Sequence, residues 1–279
     1  MNLPVPHTGR MVNVTERTPE GVALVRAANA GPMTLSGTNT WLVGAPAWVV
    51  DPGPADGGHP ERVWAAAAAR GGVAGIVLTH NHLDHSESVP ALRARSEAVV
   101  AAGVAPQRAR FEEPALPGLQ PDVVLRDGDE VGPFRVVATP GHAADHVSLL
   151  AGGVLFCGDT VLGEGSVFIP PGGGSLAAYL DSLRVLQRLE LDALCPGHGP
   201  VVWEPAAKLR EYLEHRLDRE RRLMAALAAG RRTTAELLDE VWDDAPAALR
   251  PAAALTLESH LEKLAQEGRL PDGVERLAA

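Results

Sequence analysis

Cysteine and long apolar runs are both scarce in this sequence. The first shortage argues against a disulfide-stabilised protein and the second against a membrane-spanning one. The 279 residues include two cysteines, Cys157 and Cys195, so we expect no disulfide framework and a cytoplasmic location. No apolar run reaches the roughly 20 residues that a membrane-spanning helix needs. The first residues, MNLPVPHTGRMVNV, lack the charged and apolar regions of a signal peptide. We therefore expect no membrane partner.

Positive charge and aromatic rings are scarce as well. The formal net charge is −10, and aromatic residues make up 4% of the chain. Proteins that coat nucleic acids rely on basic grooves and stacking rings, so this composition disfavours that class. Hydrophobic residues make up 46% and charged residues 22%, which is ordinary for a globular protein. Such a chain forms one large domain, or one of about 200 residues with a small addition.

The order of apolar patterns indicates two regions. Up to Trp203, strand-like runs such as VAGIVL alternate with helical patterns such as PERVWAAAAAR. This alternation predicts an α/β fold in which helices cover a system of sheets. After Trp203 the pattern is helical alone, followed by the short extended segment RLPDGVERL. We therefore predict an α/β domain over residues 1–204 and a small, winged-helix-like helical domain over residues 205–279.

Histidines and aspartates occur in loops that directly follow apolar strands. The stretch THNHLDH, residues 79–85, follows VAGIVL. His142 follows FRVVA, Asp159 follows VLFC and His198 follows DALC, each beside glycine or proline. Loops positioned by a rigid sheet can bring distant side chains together, and glycines let the backbone approach closely. One histidine at a strand end is usually an ordinary polar group, but the joint pattern predicts a metal site.

The chemistry of the candidate ligands indicates the metal. They are His80, His82, Asp84, His85, His142, Asp159 and His198. Imidazole suits zinc, copper, iron or nickel, and zinc is the usual ion in hydrolysis. The set is too large for one tetrahedral ion and sufficient for two ions that share a carboxylate. A pair of ions about 3.5–4 Å apart can hold a bridging hydroxide as the nucleophile.

The remaining histidines receive a different interpretation. His146, four residues after His142, is predicted to orient a ligand or the substrate rather than to bind metal. His59, His215 and His260 do not lie in such loops, and we predict that they are ordinary structural residues.

Two further segments bear on function. Residues 208–222 mix basic and acidic side chains on one helix, which favours a solvated face with ion pairs one turn apart. Residues 163–174, GEGSVFIPPGGG, follow Asp159 closely and form either a lid over the substrate or a plain connector.

The motifs THNHLDH, TPGHAADH, FCGDT and CPGHGP, in this order, resemble those of the metallo-β-lactamase-fold hydrolases. The resemblance extends over roughly residues 10–205 and implies a four-layer αβ/βα sandwich with the site at one edge. It divides the candidate ligands into a first set, a second set and a bridge: His80, His82 and His142; Asp84, His85 and His198; and Asp159. The implied cofactor is two Zn²⁺ ions, with iron and manganese as alternatives. Asp84 is also expected to orient the nucleophile or to carry a proton.

Within that superfamily, one branch shares further features with this chain. The segments LGEGSVF, PGHGP and EYLEHRLDRERRL resemble lactamase-β-like hydrolases that carry a winged-helix-like C-terminal domain. Mitochondrial members of that branch are single-strand endoribonucleases, which implies an RNA phosphodiester as the substrate. The branch has a serine followed by glycines where this chain has SESVP after His85. A thioester, a lactone or a β-lactam therefore stays open as an alternative.

The role of the C-terminal helices is open at this point. They are expected to form a wall of the active site or to join two chains in a homodimer. A further alternative is a metal-bearing binding protein without activity, in which these helices bind a partner.

Overall fold

The computed structural model describes residues 16–104, 115–171 and 174–277. The first residues, whose pattern predicts no signal peptide, lie outside these ranges, as do two glycines of the segment 163–174. Among the described helices, none combines the length and the apolar character that crossing a bilayer requires.

The described strands form a six-stranded sheet and a five-stranded sheet. The first sheet contains β1 to β6 in chain order, with the bounds Val22–Arg26, Asn39–Val43, Ala47–Val50, Val73–Val77, Val100–Ala102 and Val123–Val124. The second sheet contains β7 to β11, with the bounds Glu130–Val131, Phe134–Ala138, Val147–Ala151, Val154–Gly158 and Ala193–Pro196. Strands β3 to β6 pair in parallel, and β11 pairs in parallel with β10.

Four helices interleave with the strands and three follow them. Helices α1 to α4 have the bounds His59–Ala68, Leu83–Ser86, Val89–Ser96 and Leu176–Leu186. Helices α5 to α7 have the bounds Pro205–Ala228, Thr234–Val241 and Arg250–Gln266, with a short 3₁₀ helix, Ala247–Leu249, before α7. Proline lies in the first turn of α1, where its missing N–H costs nothing. Thr233 and Glu236 form a capping box that starts α6.

Successive side chains of the strands face different layers. In β2, Trp41 and Val43 belong to the core between the two sheets, whereas Leu42 packs against α1 and α3. In the second sheet, Leu155 faces outward and joins a cluster with Tyr179 of α4 and residues of α5. This alternation follows from the two-residue period of a strand. The resulting order of helices, sheet, sheet and helices confirms the predicted four-layer α/β sandwich with a helical C-terminal part.

The C-terminal helices have a core of their own, in which Leu223, Leu237 and Leu261 are fully buried. The last described segment, residues 269–277, is irregular and contains no strand. Glu258 of α7 anchors this segment by accepting a hydrogen bond from the backbone N–H of Leu277, 3.1 Å away.

The predicted solvated face on α5 is wrong for part of that helix. Arg216 is 3% exposed, Arg219 is 7% exposed and Glu220 is 8% exposed. The physical reason is that α5 packs against other elements on more than one side. Arg219 pairs with Asp244 beyond α6, and Glu220 pairs with Lys263 of α7 at 2.7 Å.

Candidate metal centre

The predicted ligands meet at one edge of the sandwich. The loop after β4 supplies His80 and His82, and the short helix α2 carries Asp84 and His85. The loops after β8, β10 and β11 supply the other predicted ligands, namely His142, Asp159 and His198. The structure therefore brings together all the side chains that the sequence pattern selected.

Three histidines form the first group. The Nε2 atom of His80 lies 3.0 Å from Nδ1 of His82, and Nε2 of His142 lies 3.1 Å from the same Nδ1 atom. All three side chains are buried, and their facing nitrogens lie within 4.8 Å of one another. Three imidazole nitrogens at this spacing can share one cation.

Hydrogen bonds on the far side fix which ring nitrogens carry a proton. The backbone oxygen of Phe168 can only accept, so Nδ1 of His142, 2.8 Å away, is the protonated nitrogen. The hydroxyl of Thr79 donates to Asp51 and therefore accepts from Nδ1 of His80, 3.0 Å away. In both histidines the Nε2 lone pair then faces the centre of the group, as a metal ligand requires.

The second group combines a carboxylate with two histidines. The Oδ2 atom of Asp84 lies 3.2 Å from Nε2 of His198 and 3.4 Å from Nε2 of His85. Asp159 lies between the groups: its Oδ2 atom is 3.3 Å from Nε2 of His198 and 3.8 Å from Nε2 of His142. Asp159 can therefore offer an oxygen to both groups, and the bridging role that the family resemblance implies for it stays a prediction.

The two groups differ in their electrostatics. Burial and the neighbouring imidazoles, His142 first, lower the pKa of His82 to about 3, and burial, then His85, lower the pKa of His80 well below its ordinary value, so these two rings are neutral. Burial also lowers the pKa of His85, but the charges of Asp84 and Asp159 outweigh it and raise that pKa to about 9. Burial is likewise outweighed at His198, where Asp159 first and then Asp84 raise the pKa to about 11. The carboxylate end thus attracts positive charge strongly.

The residues present fit divalent metal ions. The buried Nε2 atom of His85 and Oδ1 atom of Asp159 have no hydrogen-bond partner among the described residues. Leaving a buried polar atom without a partner costs about 1–3 kcal/mol, and a cation between these atoms would remove that cost. Neutral imidazoles at one end and carboxylates at the other are a donor set that suits zinc, iron or manganese.

Asp51, at the end of β3, is a residue of the site that the motif analysis missed. Its Oδ1 atom accepts from the N–H of Thr79 and its Oδ2 atom accepts from the hydroxyl of Thr79, both at 2.7 Å. Oδ2 also accepts from Nδ1 of His85 at 3.0 Å. Asp51 thus orients His85 directly and His80 through Thr79, and it also forms a third group of potential ligand atoms with His80 and His85, within 4.8 Å of one another. The available signal was VVDPG, an aspartate beside proline and glycine directly after a strand.

His146 lies behind the ligands, in the kind of position predicted for it. Its Nε2 atom accepts a hydrogen bond from the backbone N–H of Asp159 at 3.1 Å. Its ring stacks on that of His80, with 5.0 Å between the ring centroids. Of the three histidines predicted to be structural, His59 is buried with its Nε2 atom 2.9 Å from the hydroxyl of Thr40, and His260 is buried in the C-terminal part. The third, His215, lines the cavity beside the metal centre.

A cavity of about 620 Å³ opens onto the metal centre. Asp84, His142, Asp159 and His198 line one end of it. The other walls are largely apolar and include Met33, Leu35, Val167, Phe168, Trp242 and Leu249. The C-terminal helices thus contribute to the wall, and so do residues 164–168 of the segment that follows Asp159.

Comparisons with known proteins agree with this geometry. A family model described as "Metallo-beta-lactamase superfamily" matches residues 33–198, and a "Beta-lactamase associated winged helix domain" model matches residues 233–272. A "Beta-lactamase-like protein 2 homolog" of Caenorhabditis elegans is 31% identical over 271 residues, which is 92% of this chain and 88% of the relative. An "Atrochrysone carboxyl ACP thioesterase" of Aspergillus fumigatus is 32% identical over 245 residues, covering 81% of this chain and 75% of that one.

Solved structures show the same fold along most of the chain. A metallo-beta-lactamase family protein from Thermus thermophilus matches with a TM-score of 0.72 and 24% identity, covering 89% of this chain and 94% of its own. A beta-lactamase domain protein from Burkholderia ambifaria matches with a TM-score of 0.73 and 21% identity, covering 92% and 91%. These matches include the C-terminal helices as well as the sandwich.

Proposed function

Because this chain belongs to the metallo-beta-lactamase superfamily, whose members are generally hydrolases, we propose that it hydrolyses a thioester with an apolar acyl group at a centre of two metal ions. The observation that carries the proposal is the cavity, which has candidate metal ligands at one end and largely apolar walls elsewhere. An apolar chain gains about 25 cal/mol for each Å² that it buries against such walls.

The arginines of the cavity wall support a substrate without phosphates near the apolar end. Arg219 forms two hydrogen bonds with the carboxylate of Asp244, at 2.7 and 2.6 Å. Arg216 donates to the hydroxyl of Ser166 and to the backbone oxygen of Val167. Arg219 is already paired with a carboxylate and Arg216 is 3% exposed, whereas an RNA backbone needs accessible cations that can pair with phosphate. The RNA phosphodiester implied by the branch resemblance stays a prediction, and it fits this wall less well.

The carboxylates at the metal end support a leaving group that needs no proton. Burial raises the pKa of Asp84, but His85 and His198 outweigh it and hold that pKa below its ordinary value. The pKa of Asp159 is also held well below its ordinary value: burial opposes this, and His198 and His85 outweigh it. Both groups are therefore ionised and cannot donate a proton. A thiol has an ordinary pKa near 8.5 and leaves as a thiolate, while an alkoxide or an amine anion needs an acid.

The residues of the chain have distinct tasks in this proposal. Bound divalent ions would supply Lewis acidity and a water of lowered pKa. The side chain of Asp84 is 25% exposed and that of Asp159 is 10% exposed, so Asp84 is the carboxylate nearer to solvent. Thr38 orients it, because its hydroxyl donates to Oδ2 of Asp84 at 3.2 Å. Asp84 can accept a hydrogen bond from the attacking water and so direct its oxygen towards the acyl carbon.

The test compares substrate classes with one zinc-loaded preparation. The thioester series runs from S-acetyl- to S-octanoyl-N-acetylcysteamine, beside a lactone, a chromogenic β-lactam and end-labelled single-stranded RNA. We expect thioester cleavage whose kcat/KM rises about fourfold for each added methylene until the cavity is filled. The His82→Ala variant should lose this activity. Metal-dependent cleavage of RNA, the lactone or the β-lactam, with the thioesters untouched, would replace the thioester proposal.

A further inference from the structure

The described part of the segment that joins β10 to α4 contacts both the metal centre and the C-terminal helices. It begins at Asp159, and the N–H of Gly163 in this segment donates to the backbone oxygen of His198 at 2.9 Å. Val167 and Ile169 are buried in the cluster that packs α4 and α5 against the second sheet. The described part of the segment is thus a fixed wall with contacts on two sides.

Three consecutive carbonyl groups of this segment point to alternate sides. The carbonyl of Phe168 accepts from Nδ1 of His142 at 2.8 Å. The carbonyls before and after it accept from the C-terminal helices. Arg216 of α5 donates to Val167, and the hydroxyl of Ser259 in α7 donates to Ile169 at 2.8 Å, which is nearer than the Leu255 carbonyl of its own helix at 3.2 Å. Consecutive peptide units are planar and are joined at their Cα atoms, so fixing the two outer carbonyls restricts the direction of the middle one.

The middle carbonyl decides how a candidate metal ligand is presented. Because it accepts from Nδ1 of His142, it holds the ring in the tautomer whose Nε2 lone pair faces His82, 3.1 Å away. A partner on the far side of a ligating imidazole typically changes metal affinity about 10- to 100-fold when it is lost. In this protein the partner of His142 is a backbone oxygen, that of Phe168, rather than a side chain.

Arg216 is buried against this segment and contacts it at two neighbouring residues. It is 3% exposed, and besides Val167 its Nη2 atom donates to the hydroxyl of Ser166 at 3.0 Å. Its guanidinium group lies 5.6 Å from the centroid of the Tyr179 ring, which offers a cation–π contact. Its Nη2 atom makes both hydrogen bonds to the segment, whereas its buried Nε atom has no hydrogen-bond partner among the described residues.

We propose that Arg216 and Ser259 are positioning residues for the metal centre. From the C-terminal helices they hold the carbonyls of Val167 and Ile169, and thereby set the carbonyl of Phe168 that orients His142. The C-terminal helices then act on metal binding as well as on the shape of the cavity. This inference rests on the metal centre of the proposed function and not on its substrate.

The first experiment is the Ser259→Ala variant, which removes one hydroxyl and adds no volume. Zinc affinity is measured by competition with a chromophoric chelator, and the Co²⁺-loaded protein is examined by visible absorption. We expect an affinity loss of about tenfold at one ion and a changed Co²⁺ spectrum, with unchanged far-ultraviolet circular dichroism. Ser259→Thr, which keeps the hydroxyl, should restore both. Ser96→Ala is the matched control, because its hydroxyl bonds the Leu92 carbonyl within α3, at 2.8 Å.

A double-mutant cycle then asks whether the effect passes through His142. In a His142→Ala background, Ser259→Ala should cause no further loss of zinc affinity, since the ring that it positions is gone. Arg216→Met should act like Ser259→Ala but more strongly, and Arg221→Met on the exposed side of α5 is its control. If Arg216→Met does not fold, the zinc affinity and the Co²⁺ spectrum of Ser259→Ala alone test the inference.

Two results would overturn the inference. One is a folded Ser259→Ala protein with wild-type zinc affinity and Co²⁺ spectrum. The other is an equal loss of affinity in the presence and absence of His142. Neither readout uses a substrate, so a failure here is separate from a failure of the thioester assay. A protein that binds no zinc even before mutation would instead refute the metal centre itself.

Discussion

The Nδ1 atom of His85 lies 3.0 Å from Oδ2 of Asp51, although 34 positions of the chain separate the two residues. The same carboxylate also accepts from the hydroxyl of Thr79, which in turn accepts from Nδ1 of His80. His80 belongs to the first ligand group and His85 to the second. A single buried carboxylate therefore orients one ligand in each half of the centre.

Replacing Asp51 with asparagine should weaken both halves. The amide keeps the size of the side chain but presents an N–H₂ group to donors that need an acceptor. We expect a fall of about 10- to 100-fold in zinc affinity, measured by chelator competition at pH 7. Asp127→Asn is the matched control, because Asp127 is an exposed carboxylate that accepts from the N–H of Ala138 at 2.9 Å. Unchanged zinc affinity in Asp51→Asn would contradict this role.

A methyl group at Gly197 should block the centre directly. A Cβ atom there would lie 2.3 Å from Oδ1 of Asp159 and 2.6 Å from Cε1 of His85. We expect Gly197→Ala to lose bound zinc, as determined by elemental analysis after dialysis. Gly128→Ala is the control: its φ of +83° makes the change costly by about 1–2 kcal/mol, but its Cβ meets nothing within 4 Å. Loss of stability without loss of zinc is expected for the control, and equal zinc in both variants would count against the described packing.

The apolar end of the cavity should set the preferred length of the acyl group. Leu249 lines the cavity and is 43% exposed, so Leu249→Asp is expected to fold. We expect kcat/KM for the octanoyl thioester to fall about tenfold, because an apolar contact is lost, while the acetyl thioester is little affected. Val185→Asp on α4 is the control, because Val185 is also exposed and apolar but is not among the residues that line the cavity. This variant should leave kcat/KM for both thioesters unchanged. An equal loss on both substrates in Leu249→Asp would show that the acyl group binds elsewhere.

His260 should make the protein sensitive to acid. It is fully buried, and neither ring nitrogen has a hydrogen-bond partner among the described residues. Burial, then the charges of Arg216 and Lys263, lower its pKa from the ordinary 6.5 to about 3. Below pH 6.5 the unfolded chain takes up a proton at His260 and the folded chain does not. The free energy of unfolding is therefore unaffected by this histidine above pH 6.5, and it decreases as the pH falls from 6.5 towards 3.

The measurement is urea unfolding of the wild type and of His260→Leu at pH 7 and pH 5. The wild type should lose about 2 kcal/mol more of its free energy of unfolding over this interval than the variant does. Metal ligands titrate in both proteins, so the comparison isolates His260. An equal loss in both proteins would show that the imidazole finds a partner that the described contacts do not include.

The ligand motifs were predictable from the sequence because each motif directly follows a strand, so that four strand ends carry all seven candidate ligands. THNHLDH, His142, Asp159 and His198 each follow an apolar run, and parallel strand ends meet at one edge of the sandwich. The longer strands and helices were predictable for a similar local reason, since their apolar period is clear. The two-residue strands Val123–Val124 and Glu130–Val131 carry no such period and were not predicted.

Contacts between distant elements were not predictable in this way. Arg216 lies in a stretch of mixed charge that resembles any solvated helix, and its burial depends on where the segment after β10 runs. Ser259 has no local pattern that distinguishes it from other helical serines. Asp51 lies in VVDPG, directly after a strand and beside proline and glycine, as several other site residues do. Its role in the site depends on hydrogen bonds to Thr79 and His85, which form only in the folded chain.

The most direct measurement counts zinc ions per chain in the wild type and in two variants, one for each ligand group. The account predicts about two ions in the wild type and about one in both His142→Ala and His198→Ala, with all three proteins folded. About one ion in the wild type that persists in His198→Ala would contradict the second group. No bound zinc in a wild type purified and dialysed with zinc present would contradict a zinc centre.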